Sequence, residues 1–444
     1  MEKRVKKFVN WARTTICKPK DIVYPETEEE IIELVKLCNA SKTPIKVVGA
    51  GHSYNDIFCP GENGVLVSLK KFNALEKVDK ERHQVTFQAG MRMPRLIKLL
   101  KEEGLSISNL GTNVFDNVAG SCATSYHGSG INYRIFSNFV TKFEIITPTG
   151  EKKVITKDDP EYDIYAVSLG MLGIVIRITL QCEPYFKLKV VEKKMSFEDI
   201  EANFETLLKE NDHFKFIWIP HTRDFMVWTA NRTKEPANGW WKMFKTYFVS
   251  GVLINNFLHE LLLFFASFNR RLIPKINRLM SRLLLPEKNI SVYPSHWAFF
   301  LPHVLKQDVV EYAFNIKDTF KVFREIIEMI EEKKIYVDAP IEVRFVKGDT
   351  FWMSPTQGED TCWIGTKIHF PLGREPEYFR YFSEVDRILL KYRGRPHWGK
   401  QFRITTEEFK QNYPKWDKFW AFVEKNDPNG IFTNRFVKRL KGEA

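Results

Sequence analysis

Val47-Val48-Gly49-Ala50-Gly51-His52-Ser53 closes an apolar run, Pro44 to Val48, that reads as a strand, and leads into a loop opening Tyr54-Asn55-Asp56. Gly49 and Gly51 flank one alanine, so the main chain there can take φ > 0 and present its N–H groups with no side chain in the way. Such a nest suits an anion, most often a pyrophosphate. Phosphate has no need of His52, which follows directly. An imidazole at that point suits a cofactor with a reactive ring.

A second stretch, Val118-Ala119-Gly120-Ser121-Cys122-Ala123-Thr124-Ser125-Tyr126-His127-Gly128-Ser129-Gly130, is made mostly of small residues, the pattern of a backbone laid flat against something large. Gly90, Gly111, Gly170 and Gly173 recur over the same half of the chain. A dinucleotide loop of the G-x-G-x-x-G type needs a third glycine and a following helix, and neither is evident after Gly51. Tight turns account for any one of these glycines. They account poorly for all of them together with His52 and His127, and a flavin cradle of the non-Rossmann kind fits better.

With Asn109-Leu110-Gly111 and Leu172-Gly173-Ile174-Val175 added, these stretches resemble the FAD domain of the vanillyl-alcohol-oxidase flavoprotein superfamily. Glu342-Val343-Arg344 and His397-Trp398-Gly399-Lys400 resemble its sugar-lactone oxidase branch, and the likeness runs from Asn10-Trp11-Ala12 to Asp427-Pro428. The resemblance implies an α+β protein of two domains. An FAD-binding domain takes residues 1–182. A substrate or cap domain, a mixed sheet flanked by helices, takes 183–444 and includes a hydrophobic insertion at 244–285 and a C-terminal helical segment.

It also implies FAD bonded covalently to His52 through the flavin 8α-methyl. The other cofactor contacts implied are Gly49, Ala50, Gly51, Ser53, Asn109, Gly111, Val118, Gly120, Ser121, Thr124, His127, Gly128, Gly130, Gly173, Ile174, Val175, His397 and Lys400. A neutral ring nitrogen is nucleophilic near pH 7, which suits His52 to that bond. A loop histidine merely hydrogen-bonded to cofactor or backbone is the plainer alternative.

Glu342, Arg344, Lys400 and His369 are the catalytic candidates. Glu342 and Arg344 lie two apart on a predicted strand and so share a face. A carboxylate beside a planar guanidinium can hold a lactone or polyol, and Arg344 can stabilise charge developing on the substrate oxygen. Without the resemblance, Glu-x-Arg on a sheet is usually a surface pair. Lys400 is either a cation at the flavin edge or, as a neutral amine, a base. His369 matches a substrate-side histidine of the alditol oxidases, although lone strand histidines are more often structural.

The implied reaction is oxidation of an aldono-1,4-lactone at C2, L-gulono-1,4-lactone foremost and D-arabinono-1,4-lactone among its relatives. Oxygen is the implied acceptor, hydrogen peroxide the by-product, and the 2-keto product tautomerises to ascorbate. An alditol oxidase, or an L-galactonolactone dehydrogenase passing electrons to cytochrome c, is the alternative.

At 444 residues the chain exceeds one ordinary core, which agrees with two domains. A formal charge of +12 invites an anionic partner, but the lysines are scattered, as in Glu331-Glu332-Lys333-Lys334, and no basic cluster interleaved with aromatics speaks for nucleic acid. Six widely spaced cysteines, with no C-x-x-C, argue against zinc or any other metal site and against a disulfide framework. Buried free thiols and a reducing or redox-indifferent setting are expected. Met1-Glu2-Lys3-Arg4-Val5-Lys6-Lys7 has no apolar core after its charges, so no signal peptide is expected.

Thr27 and Glu30 make a capping box ahead of Ile31, Leu34, Val35 and Cys38 at helical spacing. Strands are expected at 22–24, 45–48, 65–69, 84–88, 139–147, 153–155 and 173–181, with a helix begun by Pro94. Beyond residue 183 strands are expected at 214–219, 225–229, 291–300, 341–346 and 362–370, and helices at 319–331, 376–392 and 414–424.

The insertion reads differently. Phe244 to Phe268 is mostly apolar, but Asn255, Asn256, His259 and Glu260 interrupt it, short of the ~20 apolar residues of a membrane span. A helix begun by Pro274 follows, with Ile276, Leu279, Met280 and Leu283 on one face and Lys275, Arg278 and Arg282 along its edge. That is the pattern of a helix lying in a bilayer interface. A hairpin packed on the body, or an oligomer contact, is the alternative. The resemblance adds a membrane-associated location on the endoplasmic reticulum or microsomes, with the cytoplasm as the alternative.

Overall fold

A computed structural model describes residues 6–300 and 304–443, so residues 1–5 of the charged start of the chain lie outside it. Asp21–Val23 (β1), Ile45–Val48 (β2) and Val65–Ser68 (β3) form a parallel sheet in the order β1-β3-β2. Glu28–Ala40 (α1) crosses between the first two. Thr27 caps it by accepting the Glu30 N–H, Glu30 reaches back to the Glu26 N–H, and Ile31, Val35 and Cys38 are buried.

A second sheet follows from Leu75–Asp79 (β4), Gln84–Gln88 (β5), Val140–Ile146 (β6), Lys152–Thr156 (β7) and Ile174–Gln181 (β8), in the order β7-β6-β8-β5-β4, all antiparallel. Met93–Glu102 (α2) has Pro94 in its first turn, as expected. Val118–Ala123 is a short helix (α3) capped by Asn117, whose side-chain oxygen accepts the Gly120 N–H.

The rest of the chain builds one antiparallel eight-stranded sheet from Lys187–Met195 (β9), His213–Trp218 (β10), Phe225–Thr233 (β11), Lys288–Pro294 (β12), Gln307–Asn315 (β13), Ile341–Val346 (β14), Thr361–His369 (β15) and Arg395–Pro396 (β16). Its order is β12-β9-β11-β10-β14-β15-β13-β16. Period-two alternation gives the two faces different work. Phe214, Phe216, Val343, Phe345, Cys362 and Ile364 bury against Thr319–Glu332 and Phe379–Lys391 in one apolar core. The intervening residues face the N-terminal half.

Of the strands in these three sheets, four were not legible in the sequence, β4, β9, β13 and the two-residue β16, and 295–299 is a helical turn where strand was expected. Val309-Val310-Glu311-Tyr312-Ala313-Phe314 is a nearly continuous apolar run, which periodicity alone cannot assign to strand or helix. The C-terminal aromatics Trp416, Phe419, Trp420, Phe432 and Phe436 pack into the core of the N-terminal half, not under the eight-stranded sheet. Ile45 N–H donates to Ile431 O there at 2.7 Å.

The cysteine reading needs correction. Cys17 and Cys59 form a disulfide, while Cys38, Cys122, Cys182 and Cys362 are free and buried. A separation of 42 residues carries no local signal. The pair meets because Thr14 and Thr15 both donate to Tyr54 O and draw the 54–59 loop over the start of the chain.

The insertion also differs from expectation. Trp240–Ala266 is one helical run, long and apolar enough to cross a membrane by length and composition, yet it is docked along one side. Asn256, His259, Leu263 and Ala266 are buried, and Asn256 Oδ1 accepts the N–H groups of Val304 and Leu305. In Ile273–Leu284 the expected apolar face divides. Ile276 and Met280 turn inward beside Asn277, which donates to Pro220 O and Val337 O, whereas Leu279 and Leu283 are exposed.

Candidate active site

A cavity of about 720 Å³ runs between the N-terminal half and the free face of the large sheet. This is a size typical of ligand sites, at a junction where they commonly form. One part is lined by main chain and small residues: Gly49 to Ser53 after β2, Ala119 to Ser121 of α3, and Ser168 to Gly170, with Gly173 and Val175. Gly51 has φ 71°, as the nest requires, and no helix follows it. Gly49 lies so close to α3 that a Cβ there would stand 2.5 Å from Asn117 Cβ. Asn117 is held in turn by donating to Ala89 O and Met91 O.

The wall has polar atoms waiting for a partner. Ser121 Oγ and Gln307 Oε1 are buried on it with no hydrogen bond among the described residues. Bare amides, unpaired hydroxyl and amide oxygens, and a volume of this size fit a dinucleotide cofactor of the FAD type.

His52 lines the same cavity, its ring 5.5 Å from that of Trp11. Burial pushes its pKa down to about 4, and the cations Lys400, Arg92 and Lys306 push the same way. The imidazole is therefore neutral at pH 7.

The opposite wall is built from ionised side chains. Glu342 and Arg344 of β14 both point into the cavity and pair with each other. Lys215, directly across on β10 from Arg344, reaches Glu342 Oε1 at 2.7 Å, and Arg344 donates to Thr112 Oγ1 at 2.9 Å. On β13, Glu311 Oε1 lies 3.4 Å from His127 Nε2 and 4.0 Å from Arg344.

Burial opposes the charge on both carboxylates, but neighbouring hydrogen-bond donors and cations outweigh it. Glu342 is held well below the usual carboxylate range by Arg344 and Lys215, and Glu311 by His127 and Arg344. His397 follows β16. Its backbone N–H donates to Glu311 O, its Nδ1 accepts from Gly399 N–H, and burial with Lys400 nearby holds it neutral. Lys400 lies 4.8 Å from the Tyr54 ring, with the cavity before it.

Of the residues singled out in the sequence, His52, Gly49, Ala50, Gly51, Ser53, Gly111, Gly120, Ser121, Thr124, His127, Gly173, Val175, Glu342, Arg344, His397 and Lys400 meet at this cavity. Asn109, Val118, Gly128, Gly130 and Ile174 lie behind its wall. Gly128, for one, leaves room for the Asn109 side chain, which a Cβ would strike at 2.1 Å. His369 stands away from the cavity, with Nδ1 3.4 Å from Asp338 and its ring 5.4 Å from that of His259 in the insertion. Gly365 and Lys367, earlier on the same strand face, line the cavity instead.

Glu311, Lys215, Gly365 and Lys367 were missed by sequence reasoning. A lone charge inside an apolar strand was the available signal for Glu311 and Lys367.

Small-residue cradle and charged sheet face together are those of an FAD-binding oxidoreductase. The FAD binding domain model matches residues 19–156, and the D-arabinono-1,4-lactone oxidase model matches residues 178–440. The chain belongs to the D-arabinono-1,4-lactone oxidase family of FAD-dependent sugar-lactone oxidases. It is 32% identical to an L-gulonolactone oxidase of Scyliorhinus torazame, over 97% of each chain. It is 28% identical to an L-gulono-1,4-lactone dehydrogenase of Mycobacterium tuberculosis, over 98% of each. The fold is also that of a cholesterol oxidase from B. sterolicum, with TM-score 0.78 and 17% identity over 98% of this chain and 96% of that one.

Proposed function

We propose that the protein oxidises L-gulono-1,4-lactone or a close aldonolactone at C2, with oxygen as acceptor. The products are hydrogen peroxide and a 2-keto lactone that tautomerises to ascorbate. The reading rests on one observation: Lys215, Glu342, Arg344 and Glu311 are gathered on the sheet face opposite the cradle. Bound FAD supplies the acceptor for the C2 hydrogen and its electron pair.

In this reading Gly49, Ala50, Gly51 and Ser53 hold the cofactor's pyrophosphate. The walls from Gly111, Gly120, Ser121, Thr124, Gly173 and Val175 enclose the rest, and neutral His52 is its covalent anchor. Glu342 accepts hydrogen bonds from the lactone hydroxyls. Arg344, always charged, would stabilise the negative charge that develops on the C2 oxygen. Lys400, beside neutral His397, places a positive charge where the reduced cofactor gathers electrons.

Purified protein assayed with L-gulono-, L-galactono- and D-arabinono-1,4-lactone and with xylitol, following peroxide, tests the assignment. Turnover seen only with cytochrome c would replace the oxidase by a dehydrogenase, as the mycobacterial relative is named. Preference for xylitol would make the protein an alditol oxidase. For the linkage, His52→Ala should strip flavin fluorescence from the denatured polypeptide. A colourless wild-type band on a denaturing gel would remove the covalent bond from the account.

The same reading attaches the insertion to an anionic bilayer surface, as on microsomes. Phe257, Leu261, Phe265, Phe268, Leu279 and Leu283 are exposed beside the exposed Lys275, Arg278 and Arg282. Apolar side chains next to cations are what an interfacial helix presents to acidic headgroups. Polar ties through Asn256 to the body favour lying in the interface over crossing it. Replacing Phe257, Leu261, Phe265 and Phe268 by serine should release the protein from phosphatidylserine-containing vesicles. Unchanged sedimentation would assign that face to another partner.

A further inference from the structure

An anchoring histidine has to aim one ring nitrogen at the cofactor, yet among the described residues no hydrogen bond fixes the imidazole of His52. The start of the chain supplies the aim. Phe8–Val9 and Ile16–Cys17 pair as a short antiparallel hairpin beside the glycine nest. Trp11 N–H donates to Gly51 O at 2.7 Å, and Asn10 Nδ2 donates to Ser53 O at 2.9 Å. Thr14 and Thr15 hold Tyr54 O. Carbonyls on both sides of His52 are thus gripped by one strap.

The strap also touches the ring. The Trp11 indole lies 5.5 Å from the imidazole at 31°, and the Lys306 ammonium stands 4.0 Å from the same indole. Phe8 packs against Gly51, where a Cβ would come within 2.9 Å of its ring. Two strands of two residues each cannot hold themselves together in water. The disulfide from Cys17 to Cys59 ties the end of the strap to the loop that follows His52.

We propose that the hairpin from Phe8 to Cys17, latched by its disulfide, aims His52 at the flavin, with Trp11 as the positioning residue, so that the covalent bond forms rapidly only when the latch is closed. This rests on the reading of His52 as covalent anchor and assigns the element that makes it one. In that step the imidazole N–H and one 8α C–H bond break and an N–C bond forms. The two protons and two electrons pass to the flavin, from which oxygen removes them as hydrogen peroxide. Orientation is the contribution of the strap: the bond needs the ring nitrogen near contact distance and in line with the methyl carbon, and a freely turning imidazole rarely meets that condition.

The test measures covalent and acid-released flavin separately in the full-length protein. Apoprotein from riboflavin-starved cells is mixed with FAD, samples are denatured at intervals, and flavin fluorescence is read on the polypeptide and in the acid supernatant. Trp11→Ala should bind as much FAD in total as the wild type but form the bond about 10- to 100-fold more slowly, as a misplacement of about 1 Å does. Trp11→Phe should recover most of the rate. Cys17→Ser combined with Cys59→Ser should also be slow. Reducing the wild-type disulfide with a phosphine before FAD is added should have the same effect, with reoxidation restoring the rate. Trypsin should cut sooner after Arg13 while the latch is open.

An unchanged rate in Trp11→Ala, or in the reduced wild type, would overturn the strap and leave the bond to His52 standing. Loss of total bound flavin in step with the covalent fraction would overturn it as well, since the hairpin would then only support the cradle. If acid releases all the flavin from the wild type, the covalent anchor itself falls, and the strap with it.

Discussion

The two walls of the cavity solve recognition by different physics. The cradle on the N-terminal side is main chain: N–H groups, small side chains, and glycines forced by close approach, as at Gly49 against Asn117. The sheet face is charge: Lys215, Glu342, Arg344, Glu311 and Lys367, with each carboxylate held ionised by cations around it. Backbone donors cannot titrate and tolerate almost no added volume. Ion networks tolerate modest changes of shape, but they fail when one member is removed and the others are left unpaired in a partly dry site.

This contrast predicts opposite sensitivities. Arg344→Met leaves Glu342 with Lys215 alone and removes the donor to the reacting oxygen. It should lower kcat/KM by about 10²–10³, as the loss of one oxyanion-stabilising donor does, with flavin content unchanged. A variant that also lost its flavin would show that the sheet face supports the cradle and erase the division between them.

Gly49→Ala should do the reverse. The Cβ has to move Asn117, at a cost of about 1–3 kcal/mol for overpacking. The visible result should be low flavin absorbance per protein, with near-normal kcat/KM per bound flavin. Full occupancy in this variant would break the claim that the cradle works by excluding side chains.

The smallest effect concerns a charge placed inside the cradle. Lys46, 2% exposed, donates to Gly170 O at 3.2 Å, and burial pushes its pKa down to about 7 despite the pull of Asp427. Unfolded, its amine holds its proton to about pH 10.4. Between pH 7 and 10 the unfolded chain therefore binds more protons, so this lysine adds stability as pH rises and its penalty is greatest below 7. Lys46→Met should be more stable than the wild type at pH 6, and the gap should narrow by about 1–3 kcal/mol by pH 9 in urea unfolding. A gap independent of pH would mean that the amine never loses its proton.

Much of the cradle was legible because main-chain recognition leaves a local trace. Where no Cβ is admissible the sequence has glycine, and the run from Val47 to Ser53 records that directly. Glu342 and Arg344 were legible because a two-residue step on a strand fixes a shared face. Their companions were not, since Lys215, Glu311, Gly365 and Lys367 come from three further strands, and β13 was not recognised as a strand. His369 shows the limit of the same rule. It shares a strand face with Lys367, but its position near the strand end sets it against Asp338 and His259 of the insertion, clear of the cavity.

By itself the sequence determined what is local or periodic: the glycine nest, most strands and helices, the same-face carboxylate and guanidinium, and the apolar helix of the insertion. Tertiary structure alone decided what depends on chain segments meeting across hundreds of residues. It joined Cys17 to Cys59, drew the C-terminal aromatics into the N-terminal core, and closed four strands around one hollow. The physical reason is that spacing along a chain specifies geometry only over a turn or a strand. Beyond that, position follows from which faces bury together, and no single stretch carries that information.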